Sequence, residues 1–373
     1  GGRRAGRRGR RRAATLFLAT LLAGACEGQY MRSHPGAPFE PSTGKQAPGR
    51  TRPGVREEQP LKGDHERNQP QEPQAPQLAA ADAQHVKPPS PKRQQHHQQK
   101  PPAFTASTKQ QPASAPRQAY VTVLTTAKYA VGASVVAKCL KAFGSTRPLV
   151  ALVDTSLIGT EAETAMRAEG WSVRPIPALS NPNRDLVQER PWFETTFSKL
   201  HVFGLDDFDK VVFLDADLLI TRNIDHLFDL DLSDNPDIPF AAASEVFPPD
   251  SFNSGVLVVS PSQRIFRRLT EAAKTIKSYD GSDQGFLNRA FPGWYNASSP
   301  HRLPFAYNIP QTLPMYHPAA WGRALQGGGV AILHFAGDDT MKPWSFDGVV
   351  PPSLGVFVHL WQQLARAPPG ADV

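Results

Sequence analysis

Cysteine is nearly missing from this 373-residue chain: Cys26 and Cys139 are the only two. No disulfide framework can be built from them. A secreted domain of ordinary size does without one, because about 250 residues bury a sufficient core. Long hydrophobic runs are missing too. The most apolar stretch, AATLFLATLLAGA at residues 13–25, falls short of the ~20 residues that span a bilayer comfortably. Beyond the first residues, charge of one sign is also lacking. Seven Arg fall within the first twelve positions, and removing them leaves 41 − 7 = 34 basic against 34 acidic residues. The net charge of +7 is therefore a property of one terminus. That excludes the basic face that a nucleic-acid-binding domain needs.

What the N-terminal part does contain is an Arg-rich start, a short apolar core and a small-residue Ala-Gly-Ala ending. Together they predict a signal peptide or signal-anchor over residues 1–26, which would place the protein in the secretory pathway or tie it to a membrane. An organellar transit peptide is the alternative. The chain as given does not begin with Met. Residues 27–118 hold 16 Pro and 15 Gln with few aromatics and no repeat. Such a stretch cannot bury enough apolar surface to offset its chain entropy, and disorder is predicted. A targeting segment followed by such a stretch resembles the stem of a Golgi enzyme, and the expected location is the Golgi lumen, with organellar or cytosolic placement as alternatives. The His-rich KRQQHHQQK within it reads as solvated linker rather than a metal site.

From Ala119 the pattern changes. YVTVLTT, PLVALVD, WSVRPIP and DKVVFLD read as strands, VGASVVAKCLKAF and TEAETAMRAEG as helices, and the segment from Phe193 to Phe203 as helical. Strands alternating with helices predict a mainly parallel sheet covered on both faces. Ligands of such sheets lie outside the carboxyl ends of strands. Thr125, Thr126, Asp154 and Asp215 all fall there.

Asp215 opens the least expected stretch, VVFLDADLLITRNIDH at 211–226. If the strand continued through Asp215-Ala216-Asp217, both carboxylates would share a face about 6.5 Å apart. They would then repel by about 2–3 kcal/mol at an effective dielectric near 20. A divalent cation would relieve this. The plainer alternative ends the strand at Asp215 and puts both Asp in a turn. Further on, FNSGVLVVSPS sets Asn253, Ser254 and Gly255 ahead of a strand. SYDGSDQGFLN sets Asp280 and Asp283 three apart, with Asp283 at a helix start where it could serve as an N-cap. LPFAYN ends an apolar run on Asn308, and GGGVAILHFAGDDTMKPW ends a strand on His334, with Gly337 and Lys342 following. Two carboxylates and an imidazole suit Mn²⁺ or Mg²⁺. A Lys beside such a cation suggests a diphosphate between them.

VTVLTT with Tyr129, RPWFETTFSKLH, VVFLDADLLITRNIDHLF, FNSGVLVVSPS, DGSDQGFLN, LPFAYN and HFAG with KPW, spread over Ala119 to Trp344, resemble the glycogenin-like members of glycosyltransferase family 8. The resemblance implies an α/β GT-A domain over residues 119–373, Rossmann-like with a mainly parallel central sheet. It implies a UDP-sugar donor, Mn²⁺ and retention of anomeric configuration. Carried across, Asp215, Asp217 and His334 would hold the metal against the donor diphosphate, with Ala216 between the acids. Leu124, Thr126 and Tyr129 would flank uracil and ribose. Arg190, Lys199, Asn253 and Ser254 would lie on the donor side. Asp280, Asp283 and Gln284 would surround the sugar, and Gly337 and Lys342 would contact the diphosphate. The candidate catalytic groups are Asp283, Asp280 and Lys342. Relative to the glycogenin pattern, one residue is missing between Thr126 and Tyr129, and two are added between Gly337 and Lys342. The expected activity moves a hexosyl or related sugar to a glycan, polyol or protein acceptor. The alternatives are a self-glucosylating primer and an inactive UDP- or glycan-binding domain.

Overall fold

The computed structural model describes residues 115–183, 193–326, 329–346 and 350–371. The leader, the Pro/Gln-rich segment up to residue 114, Cys26 and Arg190 lie outside the described residues. No helix among the described residues is long and apolar enough to cross a membrane.

Seven strands form the main sheet: β1 (Gln118–Leu124), β2 (Leu149–Val153), β3 (Trp171–Pro175), β4 (Lys210–Leu214), β6 (Phe240–Ser244), β7 (Phe252–Val259) and β8 (Arg302–Leu303), in the order β3-β2-β1-β4-β7-β6-β8. Pairings β3/β2, β2/β1, β1/β4 and β6/β8 are parallel, and only those of β7 with β4 and β6 run antiparallel. The mainly parallel expectation is met. A second sheet, β5-β10-β9, is built from β5 (Leu218–Ile220), β9 (Ile309–Pro310) and β10 (Ile332–His334).

The alternation along β4 shows why its run is continuously apolar. Val211 and Phe213 join one core cluster, Val212 and Leu214 the other, and both faces are covered. One cluster takes α1 (Ala130–Ala142) and α2 (Thr155–Ala168) together with the second sheet. The other takes α3 (Gln263–Ala272), α4 (Asp283–Ala290) and the segment from Thr196 to Gly204. That last segment, expected to be helical, is a 3₁₀-helix. The α2 helix starts where Asp154 accepts a hydrogen bond from the Ser156 N–H at 3.0 Å, and it gives way to Gly170 at φ 88°, a left-handed value suited to glycine. Beyond α5 (Leu313–Tyr316) and α6 (Pro318–Gln326), α7 (Gly355–Arg366) buries Phe357, Val358, Trp361 and Leu364 on one stripe against the α1 side of the core. Cys139, on α1, is buried and free, and burial pushes its thiol up to about 12.

β4 stops at Leu214, and Asp215 to Asp217 form a turn. A strand carrying both carboxylates on one face is therefore not what forms. The reason is topological: β4 belongs to the main sheet and β5 to the second, so the chain must change sheets between Leu214 and Leu218. The turn is pinned on both sides. The Asp215 N–H donates to the Gly255 carbonyl on β7 at 2.8 Å, and the Asp217 carbonyl accepts the Phe335 N–H at 2.9 Å.

Candidate active site

The turn opens into a cleft of about 360 Å³, within the range of small-ligand sites. Its walls come from the carboxyl end of β1 (Leu124, Thr125, Thr126), the sheet-changing turn, the start of β7, the start of α4 and the loop after β10. Among the residues expected from sequence, Leu124, Thr126, Tyr129, Lys199, Asp215, Ala216, Asp217, Asn253, Ser254, Asp280, Asp283, Gln284, His334, Gly337 and Lys342 all line it. Arg190 lies outside the described residues.

Strand register brings His334 to the aspartates. β10 pairs antiparallel with β5, and His334 sits opposite Leu218, the residue after Asp217. Its Nε2 lies 3.4 Å from Asp217 Oδ1 and 3.9 Å from Asp215 Oδ2. One ligand atom from each of the three residues falls within 4.8 Å of the others. Two hard oxygens and an imidazole nitrogen converging in this way fit a divalent cation such as Mn²⁺ or Mg²⁺. Thr126 lines the cleft, and its Oγ1 is buried without a hydrogen-bond partner among the described residues.

Two lysines stand beside the acids. Lys342 is 3% exposed and donates to Asp217 Oδ2 at 2.5 Å and to the Phe335 carbonyl at 2.9 Å. It is thus already inside the cleft, not on an outlying loop. Lys199 lies 3.3 Å from Asp215 Oδ1 and 2.8 Å from Asp283 Oδ2, and it donates to Ser254 Oγ at 3.1 Å. Burial would lower the Lys199 ammonium, but Asp215 and Asp283 outweigh it and hold it above the ordinary lysine range. Burial pushes Asp215 up despite Lys199, and the nearby Asp217 charge adds to the rise. At Asp217 burial acts the same way, but His334 and Lys342 outweigh it and hold the carboxyl below its usual range.

At the α4 end of the cleft the carboxylates have different duties. Ser282, not Asp283, caps α4, accepting the Gln284 N–H at 3.1 Å. Asp283, freed from the N-cap role its position suggested, takes the Lys199 ammonium and the Ser254 hydroxyl, the latter at 2.8 Å. Asp280 Oδ1 accepts from the Ser278 and Ser282 hydroxyls and from the Ser282 and Gly285 N–H groups, at 2.7 to 3.1 Å. A Cβ at Gly285 would stand 2.3 Å from that oxygen, so the close approach requires glycine.

Tyr129 stands 5.0 Å from the Trp344 ring in edge contact, and the Trp344 ring is 5.7 Å from that of Trp361 on α7. Burial, with the charge of Asp217 behind it, raises the Tyr129 hydroxyl above the tyrosine range. The missing residue before Tyr129 and the two extra residues before Lys342 leave both side chains in the cleft wall. Gly132 on α1 explains how closely this side fits. A Cβ there would fall 2.1 Å from the Ala216 carbonyl oxygen. The helix backbone therefore rests directly on the turn.

Glu245 was missed from sequence. It follows β6 directly and lines the cleft, and its Oε2 accepts from Asn253 Nδ2 at 2.8 Å and Gln284 Nε2 at 3.1 Å. A strand FAAAS ending on an acid was the available signal. Asn308, noted only as the polar end of LPFAYN, proves to be 2% exposed and bonded to both Asn253 and His334.

The sequence model of Glycosyl transferase family 8 matches residues 120–348. Glycogenin-1 of Caenorhabditis elegans is 36% identical over 252 residues, covering 67% of this chain and 56% of that protein. UDP-glucuronate:xylan alpha-glucuronosyltransferase 1 of Arabidopsis thaliana is 39% identical over 194 residues, covering 52% of this chain and 27% of that one. The chain thus matches about half or less of the length of these relatives. Among solved structures, the apo form of the bifunctional glycosyltransferase WbbM aligns with a TM-score of 0.51 at 18% identity, over 69% of this chain and 51% of that one. That likeness is one of fold, and the α/β fold is the GT-A fold expected.

Proposed function

The chain belongs to glycosyltransferase family 8, and on that premise we propose that it moves a hexosyl or related sugar from a UDP-sugar to a glycan, polyol or protein acceptor, with metal dependence and retention of configuration. The observation that carries this reading is the meeting of Asp215, Asp217 and His334 in one cleft with two buried lysines. The Arabidopsis relative, named for a UDP-linked donor and an alpha linkage, supports it.

Cleavage of a sugar–diphosphate bond places negative charge on the leaving group. A divalent cation held by Asp215, Asp217 and His334 would supply positive charge there. Lys342, adjoining Asp217, adds an ammonium aimed at the same place, in a site where burial strengthens the interaction. Thr126 and Tyr129 stand at the wall assigned to the nucleoside. Lys199 links the two halves, with Asp215 on one side and Asp283 on the other. Glu245, Gln284, Asp280 and Asp283 form the polar surround for the sugar, and the acceptor hydroxyl enters on the face the diphosphate leaves. Asp283, with Ser254 and Lys199 fixing its carboxylate, is the group to test for a direct role in transfer.

A UDP-release assay over a panel of UDP-sugars, with Mn²⁺, with Mg²⁺ and with EDTA, tests the reading. Turnover of one donor that EDTA abolishes is the expected result. UDP binding without release from any donor would identify an inactive binding domain. Sugar incorporated into the protein itself, with no acceptor added, would identify self-glucosylation. We place the domain in the lumen of the secretory pathway, most simply the Golgi. The exposed Asn296 of the sequon Asn296-Ala297-Ser298 supports this, and a glycosidase-sensitive mass shift in secretory cells is the check.

A further inference from the structure

A chain of four buried or half-buried side chains leads from Glu245 to His334, and one backbone atom sets the direction of every hydrogen bond in it. The Gly255 N–H lies 2.9 Å from one terminal atom of the Asn253 amide. A backbone N–H only donates, so that atom is the Asn253 oxygen. Its partner on the same amide, 2.8 Å from Glu245 Oε2, is the NH₂ group, which a carboxylate oxygen accepts. Asn308 approaches the Asn253 oxygen at 2.8 Å and must present its own NH₂, because two carbonyl oxygens at that distance repel. The Asn308 oxygen is thereby turned to His334 Nδ1, 2.9 Å away, and this ring nitrogen carries the proton. In the neutral imidazole Nε2 is then left with its lone pair, directed at the space it shares with Asp217 Oδ1 and Asp215 Oδ2.

We infer that Asn308 is a positioning residue that fixes the Nδ1–H tautomer of His334 and so presents Nε2 as a ligand atom, with the orientation transmitted from Glu245 and the Gly255 backbone through Asn253. The inference rests on the reading of His334 as a metal ligand. A ligating histidine needs its other nitrogen bonded to an acceptor, or the ring rotates and exchanges tautomers. Here the acceptor is an amide with no freedom to flip, since reversing it would set oxygen against oxygen at Asn253. Gly255 contributes a second constraint. A Cβ at this position would stand 2.4 Å from His334 Cε1 and 2.8 Å from Nδ1, so the ring lies against bare backbone. The same glycine carbonyl accepts the Asp215 N–H. One residue therefore registers both the imidazole and the first carboxylate of the set.

The unaltered, metal-free protein with ¹⁵N-labelled histidine gives the first test. Long-range ¹H–¹⁵N correlation on the alkaline side of the imidazole titration, where the ring is neutral and its tautomer defined, with the His334 signals identified by their loss in His334→Gln, should show a protonated Nδ1 and an unprotonated Nε2. The opposite tautomer overturns the inference with no need for a folded Asn308 variant. The second test is Mn²⁺ binding followed by electron paramagnetic resonance without any sugar donor. Asn308→Leu, close in shape but without an acceptor, should weaken Mn²⁺ about 10–100-fold, the range for loss of such an outer partner. Asn308→Asp keeps an acceptor against Nδ1–H but sets its second oxygen against the Asn253 oxygen, so it should retain the tautomer with a Mn²⁺ affinity between those of the parent and Asn308→Leu. Mn²⁺ affinity unchanged in Asn308→Leu, or no Mn²⁺ binding by the parent, defeats the proposal. Failure of the transferase reading would appear separately, as absence of UDP release from every donor, while the tautomer and Mn²⁺ measurements are read without a donor.

Discussion

Two pairs of aspartates line the same cleft, and one of the four, Asp280, is held unlike the other three. Asp215 and Asp217 meet cationic side chains, Lys199 for the first and Lys342 for the second, and share the imidazole of His334. Asp280 turns one oxygen back on its own loop, where four donors meet it. Asp283 shares a lysine with Asp215 and takes a serine hydroxyl. A carboxylate in a turn that offers it no N–H groups remains available as a ligand. One surrounded by the donors of a Ser-Gly loop becomes a brace for that loop. The residue type is the same, and the local supply of donors decides the duty.

The sharpest test of this contrast is Asp217→Asn. It should lower transfer by at least about 10²–10³, the scale of losing one stabiliser of transition-state charge, and remove tight Mn²⁺ binding with the fold intact by circular dichroism. Undiminished metal-dependent turnover would break the comparison at its first term. Lys342→Met should lower kcat by about 10²–10³. Because Lys342 touches Asp217 before any donor arrives, Mn²⁺ binding should be retained in this variant, and a parallel loss of both would show the lysine to be a structural partner only.

Lys199 joins the two pairs, so its removal reads out both. Lys199→Met leaves Asp283 and Asp215 without their cation and should cost about 3–5 kcal/mol of unfolding free energy. Lys199→Met with Asp283→Asn should recover much of it. Denaturant midpoints that are equal for single and double variants would argue that Asp283 does not need the pair. Asp280→Asn should cost less, about 1–3 kcal/mol, by weakening the acceptor that gathers the loop. Its transfer rate should fall less than that of Asp217→Asn, and a reversed order would overturn the division between brace and ligand.

The smallest effect is on pH dependence in EDTA. The depressed carboxyl of Asp217 contributes stability that is present above the ordinary carboxylate value of about 3.9 and is lost as pH falls through the lower folded value. Asp215 is raised, so the folded state binds that proton more tightly, and stability declines as pH rises from about 3.9 through its folded value. Asp217→Asn should flatten the acid-side loss, and Asp215→Asn the decline above it. Urea midpoints across the acid range check both signs.

Much of the sheet was legible because its strands are short continuous apolar runs ending in polar residues, such as LVALV before Asp154 and KVVFL before Asp215. Motif spacing carried the site residues, and those within the described part meet in one cleft. The parts that were not legible depend on distant partners. Nothing local announces that Asp215 and Asp217 occupy a turn, because the cause is the second sheet, in which β5 (Leu218–Ile220) pairs with the distant β10 (Ile332–His334). Glu245 lacked a motif of its own, and β6 was not recognised before the sheet placed it. Asn308 looked like the end of an apolar run until β9 carried it beside His334.

The sequence by itself determined which chemistry the protein carries: a carboxylate pair, an imidazole at a strand end, lysines and a Gly-spaced acidic loop, on alternating strands and helices that bury both faces of a sheet. Those are properties of residue type and of periods of 2 and 3.6, which need no knowledge of distant neighbours. Tertiary structure alone decided which oxygen is free, which is braced and which nitrogen of His334 faces the acids. Each of those depends on a donor or acceptor brought within about 3 Å by another strand. Backbone contacts at Gly132 and Gly255, where even a methyl group would not fit, fix the distances on which the site depends.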